Sequence, residues 1–199
     1  MPKVTVEHTE ARRAQILDAA SLCFSRKGFS ETTMGDIFAA SGLSAGAVYH
    51  YFPSKRALLF AVFEHDVDES RRSNEHILDV EQTRAAVREQ FLSALLQLDQ
   101  GSPAMRLPVM IHADVLRDPE IAERASRSQR ETVEAFRNTV VHLQSQGLVD
   151  PNLDAEYLCW AAMGLFEGWR VMKLIDPNLS TERFADIADV LLAPLFGPR

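Results

Sequence analysis

The sequence predicts an all-α protein of about nine helices, and three observations lead there. Apolar residues recur at helical spacing along most of the chain, and no segment alternates as a half-buried strand would. Capping residues stand ahead of these stretches (Thr33, Ser44, Asp154, Thr181), and stop signals close them (Gly28, Gly42, Pro53, Gly147). At 199 residues, with 46% hydrophobic and 25% charged side chains, the chain can bury a core in one large or two small domains.

The first helix is expected from about Thr9 to Lys27, with Ile16, Leu17, Ala20, Cys23 and Phe24 on its inner face and Gly28 as its stop. A long helix begins after Ser54, apolar at Leu58, Leu59, Val62 and Phe63, then polar through residues 66–74 like a stalk. Another opens at Thr83 and ends near Gln100. The next, Ala104–Leu116, contains Pro108, which should kink it or split off its first turn. Asp118-Pro119-Glu120 caps a helix reaching about Gln146, Asp154 caps one reaching Ile175, and Thr181 opens the last. That last helix carries an apolar stripe of Phe184, Ile187, Ala188, Leu191, Leu192 and Leu195.

Between the first helix and the stalk lie two short helices with separate caps. Thr33 with Asp36 reads as a capping-box start, Gly42 supplies a tight turn, Leu43 pins it, and Ser44 caps a second helix of about two turns that Pro53 ends. This is the helix-turn-helix layout. Its second helix presents Ser44, Ala45, Gly46, Ala47, Tyr49 and His50, which have little use in an interior and suit a DNA groove. Ala45 and Ala47 can touch thymine methyls, so hydrogen-bond readout falls to Ser44 and His50. Lys55 and Arg56 stand in the first turn after Ser54, where the helix dipole disfavours cations, and a phosphate is the expected reason. Lys3, Arg12 and Arg13 fit either phosphate contact or plain solvation. The charge is divided accordingly: the net −7 splits into +2 over residues 1–60 and −9 over the rest.

The segment from about Arg13 to Leu58 resembles the DNA-binding domain of TetR-type (TetR/AcrR) transcriptional regulators. Ile16, Leu17, Ala19, Ala20, Phe24, Gly28, Thr33, Asp36, Ile37, Gly42, Leu43, Ser44, Gly46, Tyr49, Tyr51, Phe52, Lys55 and Leu58 carry the resemblance. Phe38 departs from it, standing where the family usually has a small Ala. The resemblance implies a three-helix DNA-binding head over residues 1–53 and a larger helical ligand-binding and dimerisation domain over residues 54–199. It assigns Thr33, Tyr49, Tyr51 and Lys55 to DNA phosphates. It also implies a homodimeric, cytoplasmic regulator released from a palindromic operator by a small molecule.

The C-terminal residues bear on those expectations. Tyr157–Ile175 is apolar almost all round, but Glu167, Arg170 and Lys173 make it a poor membrane span. A helix of this kind is buried on every side, and Ala161, Gly164 and Gly168 permit close approach of a second copy. The expected dimer interface is therefore residues 154–175 with 181–196. Plain core is expected to account for most apolar residues of the middle helices, yet Met105, Met110, His112, Phe136, Met163 and Phe166, with a Pro-broken helix among them, suit the wall of an adaptable, largely apolar cavity. Arg106, Gln90 and Glu167 are polar groups that could orient a ligand there.

Cys23 and Cys159 read as reduced core thiols, and no secretion signal is expected, since no charged residues followed by an apolar stretch stand in the first part of the sequence. The six histidines are scattered, and His65 with Asp66 or His76 with Asp79 look simply solvated, so no metal is expected. No phosphate loop, nucleophile elbow or paired-cysteine site is present, and neither catalysis nor a cofactor is expected. Two alternatives to a regulator stay open. One is a ligand-binding or interaction protein on this scaffold without operator binding, and the other is a small helical enzyme using the central cavity.

Overall fold

In a computed structural model, the protein is described over residues 6–79 and 103–193 and at residues 86, 89, 93 and 96. All regular structure among them is helical, in eight helices. These are α1 (Val6–Glu31), α2 (Met34–Ser41), α3 (Ala45–Tyr51), α4 (Lys55–Asp79), α5 (Pro103–Val115), α6 (Pro119–Ser145), α7 (Ala155–Ile175) and α8 (Thr181–Leu192). The helix expected from Thr83 to Gln100 lies outside the described residues except at four helical positions.

Local chemistry sets the boundaries. Gly28 breaks the helical course of α1 with φ 76° and ψ 172°, a region that side chains avoid, so the predicted stop is real although a last turn follows it. Thr33 makes both halves of a capping box with Asp36, and Gly42 ends α2 in the left-handed region at φ 67°. Ser44 caps α3 by accepting from the Ala47 N–H at 3.3 Å. Pro108 sits inside α5, which runs on as one helix rather than losing its first turn. The last helix is capped one residue before the expected position: Ser180 accepts from the Arg183 N–H, and Thr181 is fully buried.

The chain packs as two compact units. One comprises Met1–Asp66 with Arg106–Ser126, the other Val67–Met105 with Arg127–Arg199. In the first, Ile16, Leu17, Phe24, Ile37, Val48, Leu58 and Leu59 form a core of almost fully buried side chains. Leu107 and Ile111 of α5 and Ile121 of α6 belong to that same core. In the second unit, Trp169 and Ala188 are buried with Leu165, Phe166 and Phe184 packed around them. The Trp169 and Phe184 rings stack 4.1 Å apart and 10° from parallel, while the buried indole N–H finds no acceptor.

Candidate nucleic-acid interface

The turn between α2 and α3 rests on buried Ile37 and Val48, which fix the two short helices on the core. That arrangement leaves Ser44, Ala45, Gly46, Tyr49 and His50 exposed along one edge of α3, with Ala47 and Tyr51 half-buried. The Ser44 hydroxyl oxygen is used as a cap acceptor, and a cap acceptor keeps its proton to donate outward. Phe38 lies edge-on to Tyr49, with ring centroids 5.5 Å apart at 70°. The family departure at Phe38 thus supports one of the exposed aromatics. Tyr51 receives the His50 ring in the same way, at 5.3 Å and 85°.

Thr33 and Lys55 are placed differently from their expected role. Thr33 gives both donors to Asp36 Oδ2, its N–H at 2.8 Å and its hydroxyl at 2.7 Å, so neither points to a phosphate. Lys27 donates to the other Asp36 oxygen at 2.6 Å, and that bond together with the Thr33 donors holds the carboxyl well below its ordinary range. The Lys55 ammonium donates to the carbonyls of Phe29 (2.6 Å), Ser30 (3.1 Å) and Thr32 (2.6 Å), and it stands 4.5 Å from the centre of the Phe29 ring. A cation at a helix start was expected to need an external anion; backbone carbonyls and an aromatic face answer it instead. Burial pushes its pKa down, and nearby Asp114 opposes the shift.

Arg56 is likewise engaged. It forms a fork on Asp118 (2.7 and 3.2 Å) and reaches Glu120 at 2.8 Å. The guanidinium lowers the Asp118 carboxyl to about 2, and the same carboxylate caps α6 through the N–H groups of Glu120 and Ile121. Arg12 donates to Gln15, and Arg13 lies over the Phe52 ring at 5.5 Å. Lys3 lies outside the described residues.

The expected ligand-pocket residues are not gathered in one unit. Met110 and His112 belong to the first; Met105, Phe136, Met163 and Phe166 belong to the second. His112 is exposed rather than turned into an interior. Met110 lies at the α1 bend, its carbonyl 3.4 Å from where a Cβ on Gly28 would stand. Arg106 donates to the Ser25 carbonyl at 3.4 Å, Glu167 pairs with Arg170, and Gln90 lies outside the described residues. Two open grooves do occur in the second unit, of about 340 and 400 Å³. Both are lined by Trp169, Leu179 and Phe184, and the smaller also by Gly164 and Gly168. Sequence reasoning passed over Asp114, a buried carboxylate that accepts from the Phe29 N–H at 3.2 Å and from the Ser30 hydroxyl. No local signal marks it, since its partners lie more than eighty residues earlier.

A capped helix-turn-helix on a closed core, with its second helix exposed, defines a helix-turn-helix protein of the transcription-regulator class. Residues 16–62 match the family model of bacterial regulatory proteins, tetR family, and residues 84–197 match the BetI-type transcriptional repressor C-terminal domain. The chain belongs to the TetR family of transcriptional regulators, a family of regulators rather than enzymes. It is similar to an HTH-type transcriptional regulator, YfiR, of Bacillus subtilis, 41% identical over 100 residues covering 50% of this chain and 47% of that protein. An HTH-type transcriptional repressor of Mycobacterium tuberculosis is 39% identical over 93 residues, 46% of this chain and 50% of that protein. The chain thus spans about half the length of these two relatives. Among solved structures, Salmonella enterica GusR shares the fold at a TM-score of 0.77 and 24% identity, over 99% of this chain and 100% of that one. No helix among the described residues is long and apolar enough to cross a membrane.

Proposed function

We propose that this protein is a homodimeric repressor that reads a palindromic operator through α3 and is released by a small, largely apolar ligand. The observation that carries the reading is the rigidly supported, exposed edge of α3. Ser44 and His50 supply donors to base edges, Ala45, Gly46 and Ala47 allow close approach, and Tyr49 and Tyr51 reach flanking phosphates. Thr33 and Lys55 enter as supports of that surface. Functionally the chain divides into a reading head over residues 1–53 and an effector and dimerisation domain over residues 54–199, in the cytoplasm.

Dimerisation is supported by the outer face of α7 and α8. Tyr157, Ile175, Ile187, Val190 and Leu191 are each more than half exposed in a single chain. A Cβ added at Gly164 or Gly168 would meet nothing within 4 Å. A second copy packed there makes a four-helix interface over residues 154–175 and 181–196, the last three of which lie outside the described residues. Two linked heads then reach successive major grooves, which one head cannot do. In the second unit, Met105, Phe136, Met163 and Phe166 remain the candidates for ligand contact. The ligand acts by its differential affinity for the DNA-competent and the released conformer.

The test is binding to a duplex that the protein selects from a random-sequence pool. The expected product is a palindrome bound by two chains. Failure to enrich any sequence would remove the regulator reading and leave a ligand-binding protein on a regulator scaffold.

A further inference from the structure

The bend between α1 and α2 is held from two sides by charged groups of opposite sign. Lys55 on α4 takes the carbonyls of Phe29, Ser30 and Thr32. Asp114 on α5, itself nine-tenths buried, takes the Phe29 N–H and the Ser30 hydroxyl. Inside the bend, the fully buried Thr32 hydroxyl donates to the Gly28 carbonyl at 2.7 Å. Gly28 itself holds φ 76°, a conformation that strains any other residue, and the Met110 carbonyl of α5 lies at ordinary contact distance from a Cβ built there. Thr33, which follows Thr32 directly, is the cap from which α2 starts, and α3 follows across one turn. The starting point and direction of the helix-turn-helix are therefore fixed by a carboxylate 85 residues further along the chain than Phe29.

We propose that Asp114 is a positioning residue for DNA binding, acting through the Phe29–Ser30 bend on the placement of α2 and α3. This rests on the DNA-binding reading above. Removing the carboxylate leaves a buried N–H without an acceptor and takes from Lys55 the negative charge that opposes its desolvation. The bend then relaxes, and α3 no longer meets the groove in the register that the core was built to hold. Asp114 also makes the end of α5 a part of the reading head. A shift of α5 that breaks its two hydrogen bonds acts on the bend directly, independently of any movement of α4.

The test compares the full chain with Asp114→Ala, Asp114→Asn and Ser30→Ala. The probe is the duplex selected by the parent, titrated by fluorescence anisotropy at one fixed salt concentration. Measurements are made well below each melting temperature and corrected for active fraction. Asp114→Ala should weaken binding by about tenfold or more with helical circular dichroism unchanged. Asp114→Asn retains an acceptor for the Phe29 N–H and should recover part of the loss. Ser30→Ala, at an exposed residue, should weaken binding by about twofold to threefold. A merely structural role lowers the melting temperature and the active fraction while the folded protein binds as before, and that result overturns the proposal. If Asp114→Ala does not fold, parent-like affinity in both other variants overturns it equally. A parent that selects no duplex defeats the DNA-binding reading itself, whereas a parent that binds and variants that match it defeat only the role of Asp114.

Discussion

In the unit built on Met1–Asp66 and Arg106–Ser126, cationic side chains lie against partners of the same unit. Arg12 is on Gln15, Lys27 on Asp36, Lys55 on three carbonyls, Arg56 on Asp118 and Glu120, and Arg124 on Glu64. In the unit built on Val67–Met105 and Arg127–Arg199, the outer face of α7 and α8 is apolar and open, with Leu191 and Val190 each 67% exposed. The first unit pairs these cations within itself and leaves only scattered apolar side chains such as Leu116 exposed; the second leaves a continuous apolar face whose exposure is costly until something covers it. A reading head profits from rigidity before DNA arrives, because groups already in place need no ordering on binding. An interface must stay uncovered until its partner comes.

The largest expected effect tests the first half of this contrast. Phe24→Ala empties the centre of the first core, where Phe24 is fully buried and tilted against Phe29 with centroids 5.8 Å apart. Urea denaturation should show a loss of about 3–5 kcal/mol. A loss below about 1 kcal/mol would mean that the head is not closed on this core. Gly28→Ala is the next largest, about 1–3 kcal/mol by the same measurement, because the backbone there occupies a region kept for glycine.

Gly168→Leu sharpens the second half. In the single chain a Cβ there meets open space, so the substitution should leave the protomer as stable as before or slightly more so. In a dimer it forces the facing helices apart, weakening association by about 1–3 kcal/mol in sedimentation equilibrium. Equal association of parent and variant would move the interface elsewhere.

How much of this was legible in the sequence follows from the range of the interactions. Thr33 with Asp36, Gly42 and Ser44 act over three or four residues, so the helix-turn-helix can be read directly from their spacing. The exposed apolar face of α7 and α8 shows as a helix with too little polar surface. Lys55 was misleading because its cation is answered by carbonyls 23 to 26 positions earlier, and a helix-dipole argument sees only its own helix. The division of the expected ligand-contact residues between the two units escapes the sequence for a related reason. Met105 and Met110 lie one turn and a half apart on α5, yet the boundary between the two units falls between them.

Acid separates the units by a smaller effect. Asp118 has its pKa lowered from 3.8 to about 2, with Arg56 as the first cause. A depressed carboxyl contributes stability above its unfolded value, and that contribution disappears as pH falls through the folded value. Stability should therefore fall between about pH 4 and pH 2, and Asp118→Asn should flatten that part of the profile. The smallest effect concerns the thiols. Burial raises both Cys23 and Cys159, the latter to about 11, so both should react slowly with a thiol reagent at neutral pH until the chain is unfolded. Fast labelling of either in the native protein would show its unit to be open.

The stacked Trp169 and Phe184 have a spectroscopic consequence. The chain holds two tryptophans, and Trp169 lines both grooves beside the open glycines of α7. With Trp160 replaced by Phe, the remaining indole becomes a single emitter at the place where a second copy is expected to settle. Its emission maximum then reports the polarity of that groove as protein concentration is varied, with no external label. A blue shift on concentration, absent in the Gly168→Leu background, turns a ring stack into a readout of association.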